Sequence, residues 1–169
     1  KNIRDELIIS SKAGYEMFPG PNGSGSSYKH LRSQIEGSLK RININYLDIF
    51  YTHRFDPMCE IEVVADSLKY LHDLGLFNYA GISSYPKNKL IELIELLLER
   101  KVPIASLQYN ISIISLDNYK LCKDCFDKWG ISTIAFSPLA QGLLTEAYFN
   151  KNKSKDSRLN EKFTTVTEV

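Results

Sequence analysis

The chain has 169 residues, the size of one ordinary domain, and its 43% hydrophobic and 24% charged residues suit a packed, water-compatible core. A formal net charge of +1 gives no global basic excess for nucleic acid or an anionic membrane, and no apolar run is long enough to cross a bilayer. Three cysteines are too few for a disulfide framework, and the charged opening "KNIRDEL" lacks a signal-peptide core, so a reducing, cytoplasmic setting is expected.

The first strand is expected at "ELIIS" (6–10), ending close to Lys12. The stretch "AGYEMFPGPNGSGSS" follows as a loop; it lacks the Gly-Lys-Ser/Thr ending of a phosphate-binding P-loop, and its aromatic and proline content suits a substrate-side flap. Leu31, Ile35 and Leu39 recur at helical spacing, with Ser26 or Ser27 placed to cap that helix. "YLDIFY" (46–51) is the second strand. Ile61, Val64, Leu68 and Leu71 form the next helical stripe, which Gly75 should stop. "NYAGI" (78–82), a helix bearing Leu90, Ile94, Leu97 and Leu98, and "PIASL" (103–107) continue the pattern. Leu121, Cys125 and Trp129 mark a fourth helix, with Asp117 as expected N-cap and Gly130 as its stop, before the strand "ISTIAF" (131–136). The last twenty residues are polar and patternless, and both ends read as cut or frayed edges. Regular strand–helix alternation implies a parallel sheet covered by helices, either an open doubly wound sheet or part of a (β/α) barrel.

In both architectures a site forms at the carboxyl ends of the strands. The residues there are Lys12, then His53, then Ser83 and Ser84, then Tyr109 and Asn110, then 137–142 in "FSPLAQG". Taken singly, each has a plain structural explanation; the convergence of polar groups from five successive strands is what points to a site. Other motifs carry less. "CKDC" (122–125) has redox spacing but lies within a helical stripe, without a helix N-terminus to stabilise a thiolate, and two cysteines make no zinc site. His30 and His72 fall on predicted helices and are expected at the surface. "NKNKSK" (150–155) reads as a solvated loop.

Four stretches, "LIISSK", "LDIFYTHR", "GISSY" and "AFSPLAQGLLT", resemble the aldo-keto reductases in order and content, over about Asp5 to Leu144. The glycine-rich loop adds a likeness to the branch that reduces L-glyceraldehyde 3-phosphate, which is itself similar to potassium channel beta subunits. The resemblance implies an α/β fold, a partial (β/α)8 TIM barrel covering about strands 3 to 7, with 1–169 a single incomplete domain and 150–169 a loop or tail. It implies reduction of aldehydes or ketones to alcohols with NADPH as cofactor. A small carbonyl compound is then the partner, with no nucleic acid or membrane insertion, and a homo-oligomer is left open.

By the same resemblance Lys12 is the lysine that lowers the pKa of a tyrosine acid, and His53 the histidine that orients the carbonyl. One positive charge about 4 Å away supplies roughly 4 kcal/mol at an effective dielectric of 20, enough to lower a phenol by about three units. Phe136 matches the aromatic that stacks on nicotinamide, Ser137, Leu139 and Gly142 the pyrophosphate loop, and Ser83 a carboxamide ligand. Asp48 is read as structural. Serine stands at position 84, where many members have asparagine or arginine. Ser106 stands where a carboxamide-binding glutamine is usual, and Gln108, as a strand neighbour, is expected to point elsewhere. The family's tyrosine, its aspartate and the segment that reads the adenosine 2′-phosphate have no match in this chain, and Tyr15 is no obvious substitute. Two alternatives therefore accompany the reductase reading: a nicotinamide-binding regulatory subunit, and an inactive truncated product.

Overall fold

The computed structural model describes residues 3–146. Strand β1 (Ser10–Ala13), helix α1 (Tyr28–Ile42), β2 (Leu47–Thr52), α2 (Ile61–Asp73), β3 (Phe77–Ser83), α3 (Lys87–Glu99), β4 (Ile104–Asn110), α4 (Asp117–Trp129) and β5 (Ser132–Phe136) follow one another in strict alternation. The five strands form one parallel sheet in the order β1-β2-β3-β4-β5. A doubly wound sheet reverses its order at a switch point, and this one does not. Right-handed crossovers between successive neighbours put every helix on the same side. The fold is therefore α/β, a segment of a (β/α) barrel.

Helix formation follows the apolar stripes. Leu31, Ile35 and Leu39 of α1, Val64, Leu68 and Leu71 of α2, and Leu90, Leu93, Ile94 and Leu97 of α3 all enter one core with Phe50, Ala80, Ile82 and Leu107 of the strands. Each such fully buried side chain contributes about 1.5–3 kcal/mol, so packing rather than helix propensity fixes these helices. Ser27 caps α1 by accepting from the His30 amide at 3.3 Å. Gly130, at φ +70°, ends α4 in the left-handed conformation, as expected.

Three expectations need correction. The first strand is paired over Ser10–Ala13, not over 6–10, so Lys12 lies inside β1. The Asp48 and Ile49 amides already reach the Ile9 carbonyl, but Arg4–Glu6 form a 3-10 turn and Ile8 is 81% exposed. The apolar run "LII" thus leads into the sheet rather than forming it. Asp117 is the first residue of α4 rather than its cap. His30 is buried, because the glycine-rich loop folds back over the start of α1 and brings the Asn22 carbonyl to 2.9 Å from its Nδ1. Positions 150–155 lie outside the described residues.

Candidate active site

Strand alternation assigns the two faces of the sheet. Ser11 meets Ser38 of α1 (2.9 Å between hydroxyls), so it faces the helices, and Lys12 faces the opposite, inner side. On that side Lys12 sits beside Tyr51, Tyr51 beside Gly81, and Gly81 beside Ser106 in the strand registers. The Tyr51 ring lies flat across Gly81: a Cβ there would come within 2.3 Å of two ring carbons. This lets the Tyr51 hydroxyl reach Ser106 Oγ at 2.5 Å in a buried bond. The Lys12 ammonium stands 5.4 Å from the same ring. Among the described residues, no ion pair joins Lys12 to a carboxylate.

One step nearer the rim, His53 follows β2, and its amide extends the ladder to the Ala13 carbonyl at 2.8 Å. Burial, reinforced by the charges of Lys12 and Arg54, holds its pKa below the ordinary histidine value. The imidazole is therefore neutral at neutral pH, with one N–H to donate. The Tyr15 ring meets the His53 ring edge-on at 4.4 Å, and the Arg54 guanidinium carbon lies 4.5 Å over the Tyr15 ring.

Ser83 ends β3, is 2% exposed, and pairs in register with Gln108 of β4, which in turn pairs with Ile134 of β5. Gln108 thus shares the inner face with Ser106 and Ser83. The expectation that it points elsewhere fails, because Ser106 and Gln108 are two apart and lie on one face. Ser106 itself is engaged by Tyr51. The Ser84 backbone adopts φ +56°, and its amide donates to the Gln108 carbonyl at 3.3 Å, which turns the chain away at the rim.

Tyr109 leaves the candidate set. It faces the helices, and its hydroxyl donates to the Tyr85 carbonyl (2.8 Å) and accepts from the Tyr85 amide (3.1 Å). Burial pushes its phenol pKa far up. It clamps the turn that carries Ser83 and Ser84. Phe136 ends β5 on the inner face, in register with Asn110, and is 38% exposed. Ser137, Leu139 and Gly142 lie on the tight loop that follows. Its bonds run from the Ala140 amide to Ser137 O (2.9 Å) and from the Gly142 amide to Leu139 O (2.9 Å). Ser137, Ala140 and Gln141 are all at positive φ. Lys12, His53, Ser83 and Phe136 thus share one face or rim, and the loop bearing Ser137, Leu139 and Gly142 continues from its edge.

The flap is a built structure. Gly25 and Gly14 close its base (3.1 Å), and Met17 and Gly23 bond across it (2.9 Å). Asp56 pins it to the loop after β2: one carboxylate oxygen accepts from the Ser26 amide at 2.8 Å and the other from the Met58 amide at 3.0 Å. Gly25, at φ +92°, admits no Cβ, which would lie 2.5 Å from the Asp56 carboxylate. Sequence reasoning missed Arg54, Asp56 and the Tyr51–Ser106 pair; only the glycine at 81, opposite an aromatic, hinted at the last. Asp48 is structural, as expected: burial alone would raise its carboxyl pKa, but the Ile9 amide (2.7 Å) and the Arg4 guanidinium (2.9 Å) outweigh that and lower it.

Cys122 and Cys125 are buried in α4 as free thiols, Cys125 pushed by burial up to about 11. They are core residues without thiolate character. Among the described residues no acidic, histidine and cysteine side chains cluster as a metal site, and no helix is long and apolar enough to cross a membrane. A groove of about 580 Å³ between Tyr28 and Arg32 of α1 and Val63 and Tyr70 of α2 lies on the outer surface, away from the strand ends.

Residues 1–168 match the profile of the Aldo/keto reductase family. The chain is 46% identical over 158 residues to an Escherichia coli (strain K12) L-glyceraldehyde 3-phosphate reductase, covering 92% of this chain and 45% of that protein. It is 29% identical over 161 residues to a probable voltage-gated potassium channel subunit beta of Oryza sativa subsp. japonica, covering 92% and 48%. It is 30% identical over 153 residues to a chloroplastic pyridoxal reductase of Arabidopsis thaliana, covering 88% and 40%. The chain thus spans about half the length, or less, of the curated relatives it matches. By this match and by its barrel topology, the chain belongs to the aldo/keto reductase family.

Proposed function

We propose that this chain carries the lysine, histidine and nicotinamide-facing part of an NAD(P)H-dependent reductase of small aldehydes or ketones. The observation that carries the proposal is the placement of Lys12 and His53 on adjacent strands at one rim, with Ser83, Gln108 and Phe136 on the same inner face.

The residues present suit a nicotinamide nucleotide. Ser83 and Gln108 offer a hydroxyl and an amide side by side for a carboxamide. Phe136 offers an aromatic face, and the turns at 137–142 present backbone amides for a pyrophosphate. Bound there, the nucleotide supplies the hydride. The protein's own groups orient the carbonyl and stabilise the charge that develops on its oxygen. Neutral His53 donates one hydrogen bond to that oxygen, which fixes the carbonyl without adding a second full charge. Lys12 supplies the positive field that favours the oxyanion and any phenol that protonates it. NADPH is the cofactor we assign, and a short phosphorylated hydroxyaldehyde is the first substrate to try, given the relative of that name.

The test uses the natural protein that contains this chain, with NADPH, glyceraldehyde 3-phosphate and glyceraldehyde, followed by absorbance at 340 nm. Wild type should oxidise NADPH, and Lys12→Met should lose about 100-fold or more in kcat, with NADPH affinity nearly kept. An unchanged rate in Lys12→Met would overturn the assignment. Tight NADPH binding with negligible turnover in wild type would instead favour the regulatory reading raised by the channel-subunit likeness.

A further inference from the structure

We propose that Arg54, seated on Tyr15, is an anion subsite that holds the phosphate of a short phosphorylated aldehyde or ketone while its carbonyl lies against His53. The proposal rests on the reductase reading above and adds the residue that would recognise the substrate's phosphate.

Arginine usage sets Arg54 apart. Arg4 pairs with Asp48, Arg32 with Glu36, and Arg100 with Asp66, while Arg41 donates to the Ser38 hydroxyl. Among the described residues, Arg54 has neither an ion pair nor a hydrogen bond; its contact is the Tyr15 ring at 4.5 Å. A guanidinium lying on an aromatic face keeps its in-plane N–H edge free, and that edge matches two oxygens of a phosphate.

The position is also built. The Tyr15 ring touches both groups: its centroid lies 4.4 Å from that of the His53 ring, and the Arg54 guanidinium carbon lies 4.5 Å over it. Tyr15 stands one residue beyond Gly14, the hinge that closes the flap, and Asp56 ties that flap to the loop bearing Arg54. Neither nearby acid pairs with Arg54: both Asp56 oxygens accept from backbone amides, and Glu16 is exposed and forms no ion pair among the described residues. His53 lies below its ordinary pKa mainly through burial, and the charges of Lys12 and Arg54 push it in the same direction.

The experiment has two readouts on the natural protein. The first is the ratio of kcat/KM for glyceraldehyde 3-phosphate to that for unphosphorylated glyceraldehyde. Arg54→Gln should lower this preference about tenfold or more, and Arg54→Lys, which keeps charge but loses the fork, should fall between. The second is titration with inorganic phosphate, followed on the NMR signals of the Arg54 side chain and the His53 ring. Both should shift together in wild type, and the affinity should weaken about tenfold in Arg54→Gln and with added salt. An unchanged substrate preference in Arg54→Gln would overturn the proposal. So would phosphate that fails to shift Arg54 and His53 in wild type. If no carbonyl is reduced but phosphate binds in an Arg54-dependent way, the subsite stands and the reductase reading falls.

Discussion

Replacing Gly81 by alanine adds one methyl group to the inner face and tests whether the Tyr51 ring is held there. Two ring carbons of Tyr51 lie 2.3 Å, and a third 2.7 Å, from the position of the new Cβ. Gly81 is not at positive φ, so the backbone accepts alanine and the whole penalty comes from packing. The ring is 2% exposed, so it must shift against its packed neighbours and away from the strand. Overpacking of this kind costs about 1–3 kcal/mol. The swing also breaks the Tyr51–Ser106 bond and leaves a buried hydroxyl unpaired, about 1–3 kcal/mol more. Alanine's smaller unfolded-state entropy returns roughly 0.5–1 kcal/mol. The net expectation is about 2–4 kcal/mol of destabilisation. Urea unfolding followed by far-UV circular dichroism should show an earlier midpoint at unchanged slope. In the background Tyr51→Ala the same glycine substitution should cost about 1 kcal/mol or less, because the obstructing ring is gone. A Gly81→Ala protein within about 0.5 kcal/mol of wild type would refute the packing argument.

His53 should titrate below about 6.5, and Lys12→Met should bring its pKa back toward that value, measured on the imidazole NMR signal. The sign follows from the lowered pKa: the unfolded chain binds the proton more readily, so stability is full above about pH 6.5 and falls as pH drops from there through the folded-state pKa. His53→Gln should flatten that acid-side loss in urea unfolding curves; an undiminished loss would mean that other groups cause it. Tyr109→Phe should destabilise by about 2 kcal/mol, since it strips partners from both the Tyr85 amide and carbonyl. The same change should weaken NADPH binding through the Ser83–Ser84 turn; a variant with unchanged stability would show that the clamp is idle. Cys122 and Cys125 should react with an aromatic disulfide reagent no faster than the chain unfolds, as buried high-pKa thiols. Rapid modification in the folded protein would contradict their placement.

The helical stripes were legible in the sequence because each carries apolar residues at a regular three- or four-residue step, as Leu31, Ile35 and Leu39 do. The strands were legible as runs but not in their limits. "ELIIS" has the more apolar composition, yet "SSKA" takes the sheet, because pairing with β2 depends on where the Asp48–Arg4–Ile9 contacts fix the register. Face assignment was weaker still. Tyr109 and Gln108 were placed on the wrong sides because the paired length of β4, through Asn110, exceeds its apolar run, and every residue's face follows from that length and register. Lys12, His53, Ser83 and Phe136 were singled out because they stand at or just beyond the ends of the sequence's β-like runs, a position that alternation alone predicts. Arg54 and Asp56 were missed because their roles come from a flap folding back across 30 residues, which no local pattern records.

The central claim is that the ends of these strands form one nicotinamide site. The direct measurement is NADPH titration of the natural protein that contains this chain, isotopically labelled, with NMR signals followed at Lys12, His53, Ser83, Gln108 and Phe136. The account predicts that all five residues shift and saturate along one binding curve. Shifts confined to the outer groove of α1 and α2, or none at the five residues, would contradict it.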